Sequence, residues 1–179
     1  MVWGLNVSRI FYIAILVVAG EMVFGLPFST GRFFRPTMLE VFGFTNTQLG
    51  DLFALYGITA MLSYFPGGAI ADRFSARGLL STSLIATALG GVYMATIPGP
   101  LGMAVLYAFW GVTTIFLFWG ALIRATREWG GTSAQGIAFG LLEGGRGVTA
   151  AVVASLLVLV LASFLPSDAN LATDAERRA

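Results

Sequence analysis

The sequence lacks the residues on which most enzyme chemistry depends. Its 179 residues contain no cysteine and no histidine, and all ten basic residues are arginine, so lysine is absent too. The chain therefore has no thiolate, no imidazole base or metal ligand, and no amine for a Schiff base. This composition argues against an enzyme, and we expect neither a metal site nor a bound cofactor.

Charge is also scarce. Only 11% of the residues are charged, whereas 57% are hydrophobic, and the mean hydropathy is +0.84. A soluble domain carries about 25% charged residues, so the apolar surface of this chain must face lipid. The formal net charge is +1 and the arginines are scattered, so nucleic acid is not expected as a partner.

Five long apolar stretches predict membrane-spanning helices. A helix needs about 20 mostly apolar residues to cross a bilayer, whereas barrel strands are about ten residues long and alternate. These stretches are unbroken, so we predict an all-α polytopic bundle that forms one transmembrane domain over residues 1–179. The predicted spans are 10–28, 52–71, 79–98, 101–123 and 134–165, with a polar tail at 166–179.

The connectors carry local signals of their own. Gly25, Pro27 and Gly31 predict that the first helix kinks rather than stops cleanly. Thr45 and Gln48 have the spacing of a capping box at the start of the second helix. Residues 98–100, Pro-Gly-Pro, predict a tight turn between the third and fourth helices.

The arginines of the loops bear on orientation, because cytoplasmic loops are enriched in them. A cytoplasmic N-terminus places five arginines inside and four outside. The inner set is Arg9, Arg73, Arg77, Arg124 and Arg127, and the outer set is Arg32, Arg35, Arg177 and Arg178. We therefore predict a cytoplasmic N-terminus. As the location we expect a bacterial cytoplasmic (inner) membrane.

One loop carries a family resemblance. After the second predicted span comes the run Gly68, Asp72, Arg73 and Arg77, which resembles the loop between helices two and three in the major facilitator superfamily. Two positions depart from the family pattern, because residue 75 is serine where glycine is usual and residue 76 is alanine where a basic residue is common. The resemblance implies a latch that stabilises one access state by bonding the other half of a transporter.

The same loop has a simpler interpretation. Gly68 would let another helix approach closely, and Asp72 is a fixed charge for an arginine or a helix N-terminus. Arg73 and Arg77 would keep the loop cytoplasmic. A charged loop that only sets orientation remains the alternative to a latch.

A second stretch, at the end of the fourth span, also resembles the family. It combines tryptophans with Arg124, Arg127 and Glu128, which we assign to a cytoplasmic loop, and it leads into a glycine-spaced helix. Gln135 departs from the usual arginine at that entry. The overall pattern is weakly similar to the organophosphate and anion-porter branch of the superfamily.

Charges inside the predicted spans need a physical reason, because each costs about 2.5–3.5 kcal/mol at the bilayer centre. Glu143 and Arg146 share a helix face, either as a self-satisfying ion pair or as a site for an anionic substrate or a proton. Glu21 either pairs with an arginine of a neighbouring helix or carries a proton or binds substrate. Arg32 and Arg35 either snorkel to lipid headgroups or clamp a carboxylate or phosphate. We read Trp119 and the other prominent aromatics as interface anchors or packing elements.

The resemblance implies secondary active transport, as a symporter or antiporter, of a small polar or anionic organic solute by alternating access. It covers roughly residues 8–165 and resembles an incomplete N-terminal half, so we expect a fragment or truncated product whose partners are lipid, solute and the remaining helices. The alternative is a non-transporting truncated membrane protein that acts as a structural or regulatory partner.

Overall fold

The computed structural model describes residues 7–164, except for the side chains of residues 161, 162 and 164. Within this range the chain forms eight α-helices, two π-helical segments and no strand, which confirms the predicted all-α fold. The α-helices are α1 Val7–Met22, α2 Thr30–Phe33, α3 Arg35–Phe42, α4 Asn46–Arg73, α5 Ala76–Met94, α6 Pro100–Val112, α7 Gly120–Gly130 and α8 Gln135–Phe164. The π-helical segments are π1 Gly25–Ser29 and π2 Thr113–Trp119. The predicted polar tail at 166–179 lies outside the described residues.

The first span continues through its proline, as predicted, and runs from Val7 to Phe33. Proline has no backbone N–H, so Pro27 cannot make the usual bond to the carbonyl four residues earlier. The chain widens there into π1, where the N–H of Thr30 donates to the carbonyl oxygen of Gly25, five residues back. The predicted end at residue 28 is therefore too early. The connector that follows contains the short helix α3.

The second span begins with the predicted capping box. The Thr45 Oγ1 atom accepts from the N–H of Gln48 at 3.2 Å, and the Gln48 Oε1 atom accepts from the N–H of Thr45 at 2.8 Å. These two bonds satisfy amides that an α-helix leaves unpaired at its start. α4 then runs for 28 residues, beginning six residues earlier than the predicted boundary.

The third predicted span, 79–98, is wrong at its far end, because α5 stops at Met94. Residues before a proline are disfavoured from the helical region, and Ile97, just before Pro98, has a φ of 51°. α5 is also not among the four runs of the described chain that are long and apolar enough to cross a membrane. Those runs are Val7–Phe33, Asn46–Arg73, Pro100–Gly130 and Gln135–Val160.

The helices pack in a pattern that leaves apolar residues on the outside. α4 packs against α6, α1 packs against α8, and π2 lies against both α4 and α5. Large apolar side chains such as Phe65 (85% exposed) and Leu101 (80% exposed) face outward. Such a surface is costly in water and suits contact with lipid.

Buried hydroxyl groups hold α5 to π2. The Ser83 hydroxyl donates to the carbonyl oxygen of Thr113 at 2.7 Å, and the hydroxyls of Thr87 and Thr113 are 3.0 Å apart. Polar groups in a dry interior stabilise packing only when they are paired in this way. The polar residues that lower the hydropathy of α5 thus attach it to the bundle.

The two ends of the bundle are identified by the contacts between helices. The Arg124 guanidinium donates to the carbonyl oxygens of Ala71 and Phe74, so the end of α4 lies beside α7. We call this the α4–α5 end. Arg35 bonds Asn46 at the other end, which we call the α3 end.

Candidate functional site

The intramembrane charges predicted from the sequence come together in the middle of the bundle. At 1.5 Å per residue, Glu21 lies about 21 Å from the start of α1 and Arg146 about 16 Å from the start of α8. Both distances start at the α4–α5 end, and a bilayer core is about 30 Å thick. Glu21 and Arg146 therefore lie near the centre of the membrane.

Arg146 lies between two carboxylates. Its Nη1 atom donates to both oxygens of Glu143, at 3.2 and 3.0 Å, and its Nε atom is 3.6 Å from Glu21 Oε2. The longer contact is an ion pair without a hydrogen bond, so Nε has no hydrogen-bond partner among the described residues. The side chains of Arg146 and Glu21 are each 17% exposed, whereas that of Glu143 is 57% exposed. The structure thus joins a pair predicted on one helix to an acid predicted on another.

Aromatic rings surround the same guanidinium. Its Cζ atom is 5.7 Å from the ring centre of Phe24 and 5.4 Å from that of Trp119, which is within the range of cation–π attraction. A cavity of about 300 Å³ opens in front of it. The lining residues are Phe24, Phe28, Tyr56, Ala60, Tyr64, Ile115, Trp119 and Arg146. We call this space the Arg146 cavity.

Two small residues let α1 and α8 approach closely enough for these contacts. A Cβ atom on Gly145 would lie 2.7 Å from a methyl carbon of Val17, and one on Gly20 would lie 3.2 Å from the Arg146 Cδ atom. Of the glycines of α8 around Arg146, Gly145 is the one at this close contact. Among the described residues, nothing lies within 4 Å of a Cβ on Gly140, Gly144 or Gly147.

The aromatic lining of the Arg146 cavity was not predicted from the sequence. The sequence identifies Trp119 only as an interface anchor or packing element, but Trp119 and Tyr64 both line the Arg146 cavity. The spacing contained a signal, because Phe24 follows Glu21 by three residues and Phe28 follows Phe24 by four. All three residues therefore share one helix face. The spacing could not reveal that Trp119, almost a hundred residues later, faces the same point.

Arg32 and Arg35 line a separate cavity at the α3 end. This cavity of about 310 Å³ is bounded by Phe28, Gly31, Arg32, Arg35 and Phe53. The Arg35 Nε atom donates to the Asn46 Oδ1 atom at 2.8 Å, and Arg32 is exposed. The structure thus brings both arginines to one space but keeps them apart from Arg146.

The loop motif and the cytoplasmic-loop residues meet at the α4–α5 end. Asp72 lines a cavity of about 240 Å³ together with Gly68, Arg124 and Arg127. Arg124 also lies 3.3 Å from Glu128. Arg73 and Arg77 are exposed beside this cavity's loop, and none of the salt bridges among the described residues includes Asp72.

The close helix contact predicted for Gly68 is not made by any of the described residues. Nothing among the described residues lies within 4 Å of a Cβ placed on Gly68. The close approach falls one residue earlier, where a Cβ on Gly67 would be 3.2 Å from the backbone of Phe116. One residue is about 100° of helix rotation, so Gly68 is turned away from this contact.

The described residues contain no group of three acidic side chains placed to hold a metal ion. What they do contain is a guanidinium held at mid-membrane between acids and rings, beside an open cavity. Such a group can bind an anion, and its acids can exchange protons.

These features define a polytopic helical membrane protein with an ionisable site at its centre. The model of the Major Facilitator Superfamily matches residues 10–167, and the chain belongs to this family. Members of the family are transporters rather than enzymes.

Curated relatives occur in two bacteria. The inner membrane proteins YqcE and YihN of Escherichia coli (strain K12) are each 34% identical, over 88% and 84% of this chain and 37% and 36% of their own lengths. An uncharacterized protein of Mycoplasma pneumoniae is 32% identical over 49% of this chain and 68% of its own length. The chain thus spans little more than a third of the two Escherichia coli relatives. No solved structure matches it.

Proposed function

We propose that this chain forms one side of the solute pathway of a secondary active transporter for small organic anions, which works by alternating access. Family membership supports transport in general. The observation that carries the choice of anions is the position of Arg146, whose guanidinium lies at mid-membrane on the wall of a cavity of about 300 Å³.

The cavity offers two kinds of contact to such a solute. Among the described residues, the Nη2 atom of Arg146 has no hydrogen-bond acceptor. This group therefore remains able to donate to a carboxylate or phosphate oxygen. The rings of Phe24, Tyr56 and Trp119 offer apolar faces to the rest of the molecule. An organic anion with an apolar body meets both conditions better than an inorganic ion does.

The charges around Arg146 favour coupling to protons. One guanidinium between Glu21 and Glu143 leaves the trio with one excess negative charge when both acids are ionised. An entering anion would add a second negative charge in a medium of low dielectric constant, which is strongly unfavourable. Protonation of one carboxylate removes this cost, so we propose symport of the anion with a proton.

The orientation proposal rests on the described arginines. Five of them lie at the α4–α5 end and two at the α3 end, and cytoplasmic loops are enriched in arginine. We therefore propose that the α4–α5 end and the N-terminus are cytoplasmic. By analogy with relatives that are named inner membrane proteins, we propose a bacterial inner membrane as the location.

The test is uptake into proteoliposomes by the protein in its full natural length. Labelled benzoate, phenyl phosphate and gluconate are supplied with an inward proton gradient, and glucose is the neutral control. We expect uptake of at least one anion, loss of that uptake in Arg146→Ala, and partial activity in Arg146→Lys. Phe65→Leu, on the outer surface, is the matched control and should transport normally.

Two results would count against the proposal. If Arg146→Ala transports the anion at the normal rate, Arg146 is not the anion contact. If correctly inserted protein moves none of the solutes, the non-transporting role is favoured instead.

A further inference from the structure

The Arg146 cavity and the cavity of Arg32 and Arg35 share one lining residue. The two sets of lining residues have only Phe28 in common. Along α1 and π1, Phe28 comes seven residues after Glu21 and four before Arg32, so it lies between the two charged regions. Its ring therefore separates a central cavity from one at the α3 end.

The ring of Phe28 is held by other aromatic rings and not by polar contacts. It stacks on Phe53 with ring centres 5.6 Å apart and planes 4° from parallel. It also makes a T-shaped contact with the ring of Tyr56, with ring centres 4.6 Å apart. Contacts between aromatic rings are individually weak, so a solute that offers similar apolar contact can displace the ring of Phe28.

The backbone around Phe28 is irregular, which also suits movement of this side chain. Phe28 lies in π1, directly after Pro27, where the regular α-helical bonding is interrupted. Nothing among the described residues lies within 4 Å of a Cβ on the nearby Gly25. The segment therefore has open space on one side.

Arg32 and Arg35 leave an unbalanced positive charge in their cavity. None of the salt bridges among residues 7–164 includes either arginine, and Arg35 is oriented by a neutral partner, Asn46. The cavity is lined by no acid. Two guanidiniums beside one space repel each other unless an anion lies between them, and arginine presents the geometry that carboxylates and phosphates prefer.

We propose that Arg32 and Arg35 form a second anion site, where the solute binds first, and that Phe28 is the partition it displaces to reach Arg146. This inference rests on the proposed transport of organic anions. The entry site selects for negative charge, and the partition selects for an apolar body that can replace the ring contacts of Phe28.

Binding is measured first, with phenyl phosphate and the full-length protein in detergent, by calorimetry. We expect two sites in the unchanged protein. Arg146→Ala should lose the central site and keep the other, whereas Arg32→Gln together with Arg35→Gln should lose the entry site and keep the central one. The single variant Arg32→Gln controls for misfolding of the double variant, because the Arg32 side chain makes no hydrogen bond or ion pair with a described residue. This single variant should weaken binding at the entry site.

Transport is measured next in proteoliposomes. Removing both entry-site charges should raise KM about tenfold with little change in the maximal rate, because such charges act mainly on association. Phe28→Ala should speed counterflow of phenyl phosphate and reduce its preference over inorganic phosphate. Phe33→Ala, a partly exposed phenylalanine of the same span, is the matched control and should change neither.

The phosphate group of a lipid could also bind Arg32 and Arg35, in place of an anionic solute. The assay is therefore repeated in phosphatidylcholine vesicles with and without phosphatidylglycerol. If the arginine variants change only the response to phosphatidylglycerol, the pair binds lipid and the entry site is refuted. If the variant that lacks both entry-site charges has an unchanged KM while Arg146→Ala still fails to transport, the entry site is refuted but the proposed function stands. Two binding sites with transport that does not depend on Arg146 refute the proposed function and retain the second anion site.

Discussion

Arg9 and Trp129 hold each other through two hydrogen bonds that run in opposite directions. The Arg9 Nη2 atom donates to the carbonyl oxygen of Trp129 at 2.7 Å, and the Trp129 Nε1 atom donates to the carbonyl oxygen of Arg9 at 2.8 Å. The guanidinium also lies 5.2 Å from the ring centre of Trp129. These contacts connect the start of α1 to the end of α7, 120 residues apart in sequence.

Trp129→Phe should lower the free energy of unfolding by about 1 kcal/mol, since it removes one of these two hydrogen bonds. The phenyl ring retains an aromatic face for Arg9. Unfolding in mixed micelles of increasing denaturing detergent measures the effect. Trp119→Phe is the control, because the indole N–H of Trp119 makes none of the hydrogen bonds found among the described residues. Equal losses in the two variants would contradict the prediction.

Gly67→Ala and Gly68→Ala should behave very differently although the residues are neighbours. A Cβ at residue 67 would meet the backbone of Phe116 at 3.2 Å, and backbone cannot easily yield. We expect Gly67→Ala to destabilise the protein by about 1–3 kcal/mol, the usual cost of overpacking. Gly68→Ala has open space and should keep its stability or gain slightly in helix propensity.

The same pair of variants tests the latch interpretation of the loop. If Gly68 is needed by helices outside this chain, Gly68→Ala should reduce transport by the full-length protein while its thermal stability stays normal. Normal transport in Gly68→Ala would limit the motif to its charged residues.

Local signals in the sequence predicted local structure well. The capping box of Thr45 and Gln48 and the continuation of the first helix past Pro27 depend on neighbouring residues, and both are confirmed. The intramembrane charges could be identified from the sequence because a charged residue inside an apolar span is costly and therefore stands out. The end of the third span was missed because hydropathy does not register the backbone restriction imposed by Pro98.

Long-range relationships were beyond this kind of reasoning. The sequence places Glu143 beside Arg146 on one helix, but it does not say that Glu21 and Trp119 converge there, since that depends on how three helices pack. Gly67 and Gly68 show the same limit. A sequence motif identifies residues, but the direction in which each residue faces depends on how its helix is rotated in the folded bundle.

Thr45→Ala should shorten or fray the start of α4. It removes the acceptor for the Gln48 N–H and should lower the free energy of unfolding by about 1 kcal/mol. Thr47→Ala is the matched control, because Thr47 is exposed and contributes no side-chain bond to the capping box. Hydrogen exchange over residues 45–50 should increase in the first variant only. Equal exchange in both variants would contradict a stabilising role for this box.

Asp72→Asn should slow turnover without preventing membrane insertion. Asp72 shares a cavity with Arg124 and Arg127, and neutralising it changes the charge balance at the α4–α5 end without changing the size of the side chain. If this end closes in one access state, we expect a several-fold lower rate of uptake with normal protein levels in the membrane. An exposed acid at the α3 end, Glu40, provides the control as Glu40→Gln. Unchanged uptake in Asp72→Asn would leave the loop with a role in orientation only.

Glu21→Gln and Glu143→Gln should separate proton coupling from anion binding. Glu21 is the more enclosed acid, whereas Glu143 is largely exposed, so we expect Glu21 to be the acid whose proton accompanies the solute. For one proton per singly charged anion, a gradient of one pH unit supports at most about tenfold accumulation. Glu21→Gln should lose this accumulation yet still exchange labelled for unlabelled solute, because Arg146 remains in place. Glu143→Gln should retain accumulation. Gradient-driven accumulation by Glu21→Gln at the normal level would assign the proton to another group.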